Sequence, residues 1–192
     1  MSDTTDDNIF GIQTRYFVAP RLIALLVFAL TLAASVFGAL ASSTPDYSRA
    51  AYSVWPSLIL GSWAVWLWLN RMPNFRTPLW KFTWLLGFIG YCIHFYFAMT
   101  NVFRWDIVAV FDAQGYVVAF SNLLLLVVWF LSCVTAYLGM TFPFLHRGTM
   151  VLFIASAAAS TVLFAQNPLS IAGGAAIVGA WVLALMVRSK MY

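Results

Sequence analysis

His94 has the clearest potential for chemistry in this chain, because it is the only histidine that lies well inside a long apolar block. An ionisable side chain is costly to bury in a membrane, so such a residue indicates a functional site. Its ring nitrogens can donate or accept a hydrogen bond near neutral pH, and the ring could bind a polar solute or act as an acid or base. The sequence therefore predicts His94 as the centre of a site.

Other polar residues are expected at the depth of His94, which lies thirteen residues beyond Lys81, or about 20 Å along a helix. The candidate polar pocket consists of His94, Ser121, Asn122, Ser160 and Thr161, and its candidate outer mouth of Asn101, Arg104, Asp106, Asp112 and Gln166. A structural alternative explains the same pocket residues. A neutral His94 bonded to Asn122 or Ser121 would lock the third apolar block against the fourth.

Motifs of known catalytic sites are missing from the sequence, including HExxH, a phosphate-binding glycine loop and the GxSxG elbow. Cys92 and Cys133 lack the CxxC spacing of redox or zinc sites. His146 is expected in a cytoplasmic loop, too far from His94 for the pair to hold a haem. We therefore expect no metal, no cofactor and no catalysis by this chain alone.

The elements that must position these residues are six apolar blocks, and 63% of the 192 residues are hydrophobic while only 8% are charged. The blocks span about 22–41, 54–69, 79–100, 116–140, 149–165 and 169–187. Each approaches the roughly 20 residues that cross a bilayer as a helix. The fold class predicted is an all-α membrane protein, an antiparallel bundle of six transmembrane helices.

The ten basic residues are distributed unequally between the two sides of such a bundle. One side has only Arg49 and Arg104, and the other has Arg15, Arg21, Arg71, Arg76, Lys81, Arg147, Arg188 and Lys190. Cytoplasmic loops carry the excess of Lys and Arg. This distribution predicts a bacterial-type inner membrane protein with both termini in the cytoplasm.

The N-terminal residues 1–14 are polar and acidic, and they are expected to form a flexible cytoplasmic tail before a transmembrane domain over residues 15–192. Arg15, Arg21, the first apolar block and the sequence Ala39-Leu40-Ala41 together imitate a cleavable signal peptide. We expect an uncleaved helix, because this apolar run is longer than the core of a typical signal peptide.

Three features are expected at the membrane surfaces. In the outer loop between the third and fourth helices, Phe103, Ile107, Val110 and Phe111 recur at helical spacing and predict a short interfacial amphipathic helix. On the inner side, Arg71 and Arg76 are expected to contact lipid headgroups. The tryptophans near that loop are expected to form an interfacial aromatic belt, namely Trp63, Trp66, Trp68, Trp80 and Trp84.

Small residues at four-residue intervals indicate close helix packing in the last block. Small side chains let two backbones approach in lipid, where dispersion drives association. The predicted packing residues are Ala172, Gly173, Ala176, Gly179 and Ala180. We expect the fifth and sixth helices to form the tightest hairpin.

These patterns favour a non-catalytic subunit or assembly partner of a larger membrane complex. The expected partners are the lipid bilayer and other integral membrane subunits, with no nucleic acid. One alternative is a small transporter or channel for an uncharged or weakly polar solute that uses the pocket around His94. A second alternative is a membrane enzyme that acts on a lipid or quinone, with His94 as acid or base.

Overall fold

A computed structural model describes residues 6–70, 77–140, 142–163 and 168–189, which are almost entirely helical and contain no strand. The α-helices are α1 Asp6–Leu40, α2 Pro45–Tyr52, α3 Val54–Asn70, α4 Pro78–Phe97, α5 Ile107–Gln114, α6 Tyr116–Tyr137, α7 Pro143–Ala158 and α8 Pro168–Ser189. Two π-helical segments continue α4 and α7, π1 over Ala98–Val102 and π2 over Ala159–Leu163. The all-α class is therefore confirmed, and each of the six predicted blocks coincides with a helix.

Three stretches are long and apolar enough to cross a membrane, namely Val18–Leu40, Pro78–Val102 and Tyr116–Tyr137. A shorter apolar helix covers Ile171–Met186. The helix α3 has 17 residues, which corresponds to about 26 Å of helix, slightly less than a typical hydrocarbon core. These helices support a membrane-embedded protein.

Two helices begin earlier than the sequence patterns predict. α1 begins at Asp6, so residues 6–14, which were expected to be a flexible tail, are helical. Extending an existing helix is far cheaper than nucleating a new one, and the apolar block supplies that existing helix. α7 begins at Pro143, because proline at the first position of a helix loses no hydrogen bond. His146 consequently lies in a helix and not in a loop.

Both short helices lie at the end of the bundle where α4 and α7 end. α5 was predicted within 102–115, and Asp106 caps it by accepting bonds from the backbone N–H of Val108 at 2.9 Å and of Ala109 at 3.3 Å. Gly115, with a φ of 75°, ends it. The helix α2 was not predicted, because its residues are mostly polar and its eight positions show no long apolar pattern.

Glycines let α3 and α4 form the most extensive helix pair of the described bundle. A Cβ atom added at Gly87 would lie 2.9 Å from the backbone nitrogen of Gly61, and one at Gly90 would lie 2.8 Å from that of Ser57. Both distances are shorter than real Cβ contacts, so the two backbones are as close as glycine allows. Around this pair, α1 packs against both helices, α6 against α4 and α7, and α8 against α3.

The predicted fifth and sixth helices, α7 with π2 and then α8, are in contact, and α8 packs there mainly against π2. The prediction that they form the tightest hairpin is wrong, because the contact between α3 and α4 is more extensive, and α8 also packs against α3. Gly173 faces the ring of Trp55 in α3, and Gly174 faces the side chain of Thr161 in π2. Gly173 makes room for that ring, whereas Gly174 also lets the backbone of π2 approach, because a Cβ atom added there would lie 3.2 Å from the backbone carbon of Thr161. The other predicted packing residues are exposed within this chain, namely Ala172, Ala176, Gly179 and Ala180.

The core is a column of aromatic rings, which contradicts the interfacial belt for two of its predicted members. Trp80 and Trp84 are 1% and 0% exposed and stack at 5.7 Å between ring centroids. Trp84 lies 4.5 Å from Trp129, which lies 4.9 Å from Phe153. Ring-on-ring packing thus buries these side chains. Trp66, at 43% exposure, can still face lipid.

Candidate functional site

A cavity of about 60 Å³ lies among α3, α4, α6, α7 and π2, at the end of the bundle where α3 and α6 begin. Its polar lining consists of Ser57, Tyr91, His94, Asn122, Ser156 and Ser160, and its remaining lining is apolar. Asn122 is six residues beyond the start of α6, which puts the cavity about 9 Å below that end of the helix. The site is therefore a polar chamber inside an apolar bundle.

A carbonyl group of α2 fixes the orientation of the His94 ring. Nδ1 of His94 lies 2.8 Å from the backbone oxygen of Ala50 and 3.5 Å from Oγ of Ser53. A carbonyl oxygen can only accept, so Nδ1 carries the hydrogen and donates it. In the neutral ring, Nε2 is then the nitrogen that can accept a hydrogen bond. From the sequence, Asn122 or Ser121 was the expected partner that would hold His94 in a purely structural role. The structure shows that Ala50 of α2 is the partner instead.

Ser57 places a polar atom without a partner in the cavity wall. The residue is 1% exposed, and its Oγ makes no hydrogen bond to any described residue. A buried hydroxyl without a partner costs about 1–3 kcal/mol. Nearly all buried polar groups are bonded to protein or to ordered molecules, so this hydroxyl is a candidate partner for a molecule bound in the cavity.

Asn122 connects the cavity to α5 and α4. Its side-chain Nδ2 donates to Oε1 of Gln114 at 3.1 Å, and its backbone oxygen accepts from the hydroxyl of Tyr91 at 3.1 Å. The amide is therefore held at one atom, while its side-chain oxygen retains accepting capacity. This oxygen and Nε2 of His94 are thus two acceptors on residues that line the cavity.

The structure brings three of the five predicted pocket residues to this cavity: His94, Asn122 and Ser160. Ser121 lies outside the lining and donates to the backbone oxygen of Val117 at 2.7 Å. Thr161 is buried but donates to the backbone oxygen of Ala157 at 2.6 Å. Neither hydroxyl needs a further partner to be satisfied.

Sequence reasoning missed Ser57, Tyr91 and Ser156. Ser156 could have been found, because it precedes Ser160 by four residues and so shares a helix face with it. Ser57 is near the start of α3, at a depth that matches the end of α4 once the helices are taken as antiparallel. Tyr91 precedes His94 by about one helical turn, and no feature of the sequence singled it out as a site residue.

The predicted mouth residues are dispersed over the same end of the bundle. Asn101, in π1, lines a separate open groove of about 380 Å³ beside α2. Arg104 and Asp112 are exposed, and Asp106 is committed to capping α5. Gln166 lies outside the described residues, as do the predicted headgroup contacts Arg71 and Arg76. None of the described mouth residues lines the cavity.

One of the two π-helical segments forms part of the cavity wall. Ser160 belongs to π2, which follows α7 directly. π-helical turns are rare and frequently occur at functional sites, because the wider turn redirects a side chain and loosens the backbone ladder. The irregular backbone therefore coincides with the polar lining.

Aromatic side chains close the cavity toward the opposite end of the bundle. Tyr91, Leu125 and Phe153 belong to the lining, and Trp129 lies beyond them, 5.7 Å from Tyr91 and 4.9 Å from Phe153 between ring centroids. Trp129 is 0% exposed. We call Tyr91, Trp129 and Phe153 the aromatic floor. In this conformation, the floor separates the cavity from the other half of the bundle.

A second polar cluster lies beyond the aromatic floor. Nε1 of Trp84 donates to Oγ of Ser132 at 3.0 Å, and Oγ of Ser132 lies 2.8 Å from Nδ1 of His146. Tryptophan can only donate, so the serine accepts from it and can donate to the histidine. Burial lowers the pKa of His146, a hydrogen bond that its ring donates to the backbone of Met140 opposes this, and the charge of Lys81 lowers the pKa further. This cluster ties α4, α6 and α7 together.

No family model, curated protein or solved structure matches this chain. Within the described ranges, no group of three or more His, Cys, Asp or Glu residues could hold a metal ion. The cavity around His94 combines a histidine with five other polar side chains.

Proposed function

We propose that this protein is a six-helix transporter of a bacterial-type inner membrane, with both termini in the cytoplasm, that binds a small uncharged solute around His94. The observation that supports it best is the buried Oγ of Ser57, which lacks a partner in the wall of a cavity that His94 also lines. A solute with polar groups would satisfy both residues. The sequence patterns favoured a subunit of a larger membrane complex and gave a transporter of this kind as an alternative.

The lining of the cavity carries no charged side chain among its described residues, which favours an uncharged solute. Among the described residues that line the cavity, none is Asp, Glu, Lys or Arg. A charged solute would have to leave water without a counter-charge, which costs far more than the hydrogen bonds offered there would return. A small neutral molecule loses only a few hydrogen bonds to water and regains them from the lining.

Passage across the membrane requires the aromatic floor to move. The floor rests against α3, because a Cβ atom added at Gly61 would meet the ring of Phe153 at 2.5 Å. A shift of α7 along α3 would move Phe153 away from Trp129. The described conformation is then the one in which the floor separates the cavity from the other half of the bundle.

The test is uptake of small neutral solutes by the full chain reconstituted in liposomes, measured by stopped-flow light scattering. We expect Ser57→Ala and His94→Ala to reduce uptake of the transported solute. Ser57→Ala is the sharper variant, because removal of a hydroxyl without a partner should leave folding intact. Ser121→Ala is the matched control, since Ser121 lies on α6 outside the lining and bonds only its own helix.

Rates equal to those of empty liposomes for every solute tested would contradict the transporter. Equal uptake rates for the wild-type protein and Ser57→Ala would show that transport does not depend on the Ser57 hydroxyl in this cavity.

A second candidate function, a subunit of a larger membrane complex, is supported by the surface of α8. Ala172, Ala176, Gly179 and Ala180 are exposed, and nothing lies within 4 Å of a Cβ atom added at Gly179. Small residues at this spacing allow another helix to approach closely. Purification in native lipid nanodiscs with mass spectrometry tests it. A stoichiometric partner that Gly179→Leu removes supports the subunit, and a chain recovered alone contradicts it.

A further inference from the structure

We infer that the solute bound around His94 is a small amine in its uncharged form, of which ammonia and methylamine are the simplest examples. This inference rests on the proposed function and names its substrate class. It follows from the size of the cavity, the hydrogen-bonding character of its lining and the position of its aromatic rings.

The size of the cavity matches a ligand of very few atoms. Its volume is about 60 Å³, and one water molecule occupies roughly 30 Å³ of the liquid. About two groups of the size of water therefore fill it. Ammonia or methylamine fits within this volume, whereas glycerol, a sugar or an amino acid would extend beyond it.

The hydrogen-bonding lining suits a ligand that donates. The bond from Nδ1 of His94 to Ala50 leaves Nε2 as the acceptor of the neutral ring. The amide of Asn122 donates to Gln114, which leaves its oxygen to accept. The hydroxyls of Ser57, Ser156 and Ser160 can each donate or accept. Neutral ammonia has three N–H groups and one lone pair, which match two acceptors and one of these hydroxyls.

The remaining lining favours a neutral amine over other small molecules. Tyr91 and Phe153 present aromatic rings, and Leu125 presents an apolar side chain. The methyl group of methylamine can pack there, while its amino group reaches the polar side. A carboxylate of similar size would find no basic side chain among the described lining residues. Methanol fits by size but offers only one donor.

The experiment uses the full chain with ¹⁵N-labelled histidine in lipid nanodiscs, studied by NMR at constant buffered pH. The chain has two histidines, and His146→Gln assigns the second resonance. We expect methylamine to shift the Nε2 signal of His94, and Ser57→Ala to raise its Kd about 2- to 10-fold, the effect of one hydrogen bond. Ser121→Ala should leave the Kd unchanged.

Trimethylamine and methanol are the ligand controls, because neutral trimethylamine has no N–H group and methanol has one donor. Weaker shifts with both controls than with methylamine support the inference. An equal or larger shift with methanol or urea overturns the amine but leaves a small-solute site. No shift with any solute, together with uptake equal to that of empty liposomes, overturns both the amine and the transporter.

Discussion

Replacing Gly90 with alanine should destabilise the protein, because α3 and α4 are in contact at that point. The new Cβ atom would lie 2.8 Å from the backbone nitrogen of Ser57 and 3.2 Å from the carbonyl carbon and Cβ of Pro56. Ordinary van der Waals contact begins near 3.4 Å, so the two helices must separate by about 0.6 Å. The neighbouring atoms include backbone and a proline ring, which cannot move aside as a flexible side chain would.

The magnitude follows from the cost of overpacking, which is typically about 1–3 kcal/mol. Alanine also favours a helix over glycine by up to about 1 kcal/mol. Gly179→Ala isolates this second effect, since nothing lies within 4 Å of the Cβ position at Gly179. The expected difference in free energy of unfolding between the two variants is therefore about 1–3 kcal/mol. At roughly 2–4 °C per kcal/mol for a chain of this size, the Tm values should differ by about 2–12 °C.

The assay is thermal unfolding in detergent micelles, followed by tryptophan fluorescence, because Trp84 and Trp129 in the core are fully buried. Both variants should be measured beside the wild-type protein at equal detergent concentration. A Gly90→Ala protein that is as stable as Gly179→Ala would refute the close contact of α3 and α4. The same displacement moves Ser57, so Gly90→Ala should also weaken solute binding at the cavity.

Three further predictions concern polar groups outside the cavity. Ser132→Ala should cost about 2–6 kcal/mol in unfolding experiments, because Trp84 and His146 each lose one buried hydrogen bond worth about 1–3 kcal/mol. Full stability of the variant would show that the cluster is dispensable. Burial lowers the pKa of His146 from 6.5, so the unfolded chain binds a proton at this residue more readily than the folded chain. Stability should therefore be lost as pH falls below about 6.5. The same pH dependence of stability in His146→Gln as in the wild-type protein would contradict this. Asp106→Ala should destabilise α5 by about 0.5–2 kcal/mol, measured by amide hydrogen exchange, whereas exposed Asp112→Ala should not; equal protection in both variants would exclude the cap.

The candidate site could be predicted only in part, because depth is readable from a sequence and direction is not. His94, Asn122 and Ser160 were placed together by their distance from helix ends, and they line one cavity. Ser121 precedes Asn122 by a single residue, yet its hydroxyl bonds its own helix and lies outside the lining. One residue turns a helix by about 100°, and only the packing of neighbouring helices decides which of two adjacent side chains faces the cavity.

The sequence by itself determined the all-helical class, the six apolar blocks and the position of α5, because these follow from local composition and from periodicity along one chain. Tertiary structure alone decided which small residues meet a neighbour. Gly87 and Gly90 lie against α3, whereas Gly179 lies against nothing within this chain. It also decided that α2 supplies the carbonyl that orients His94. Both depend on contacts between distant segments, and in an apolar bundle many such arrangements bury similar surface.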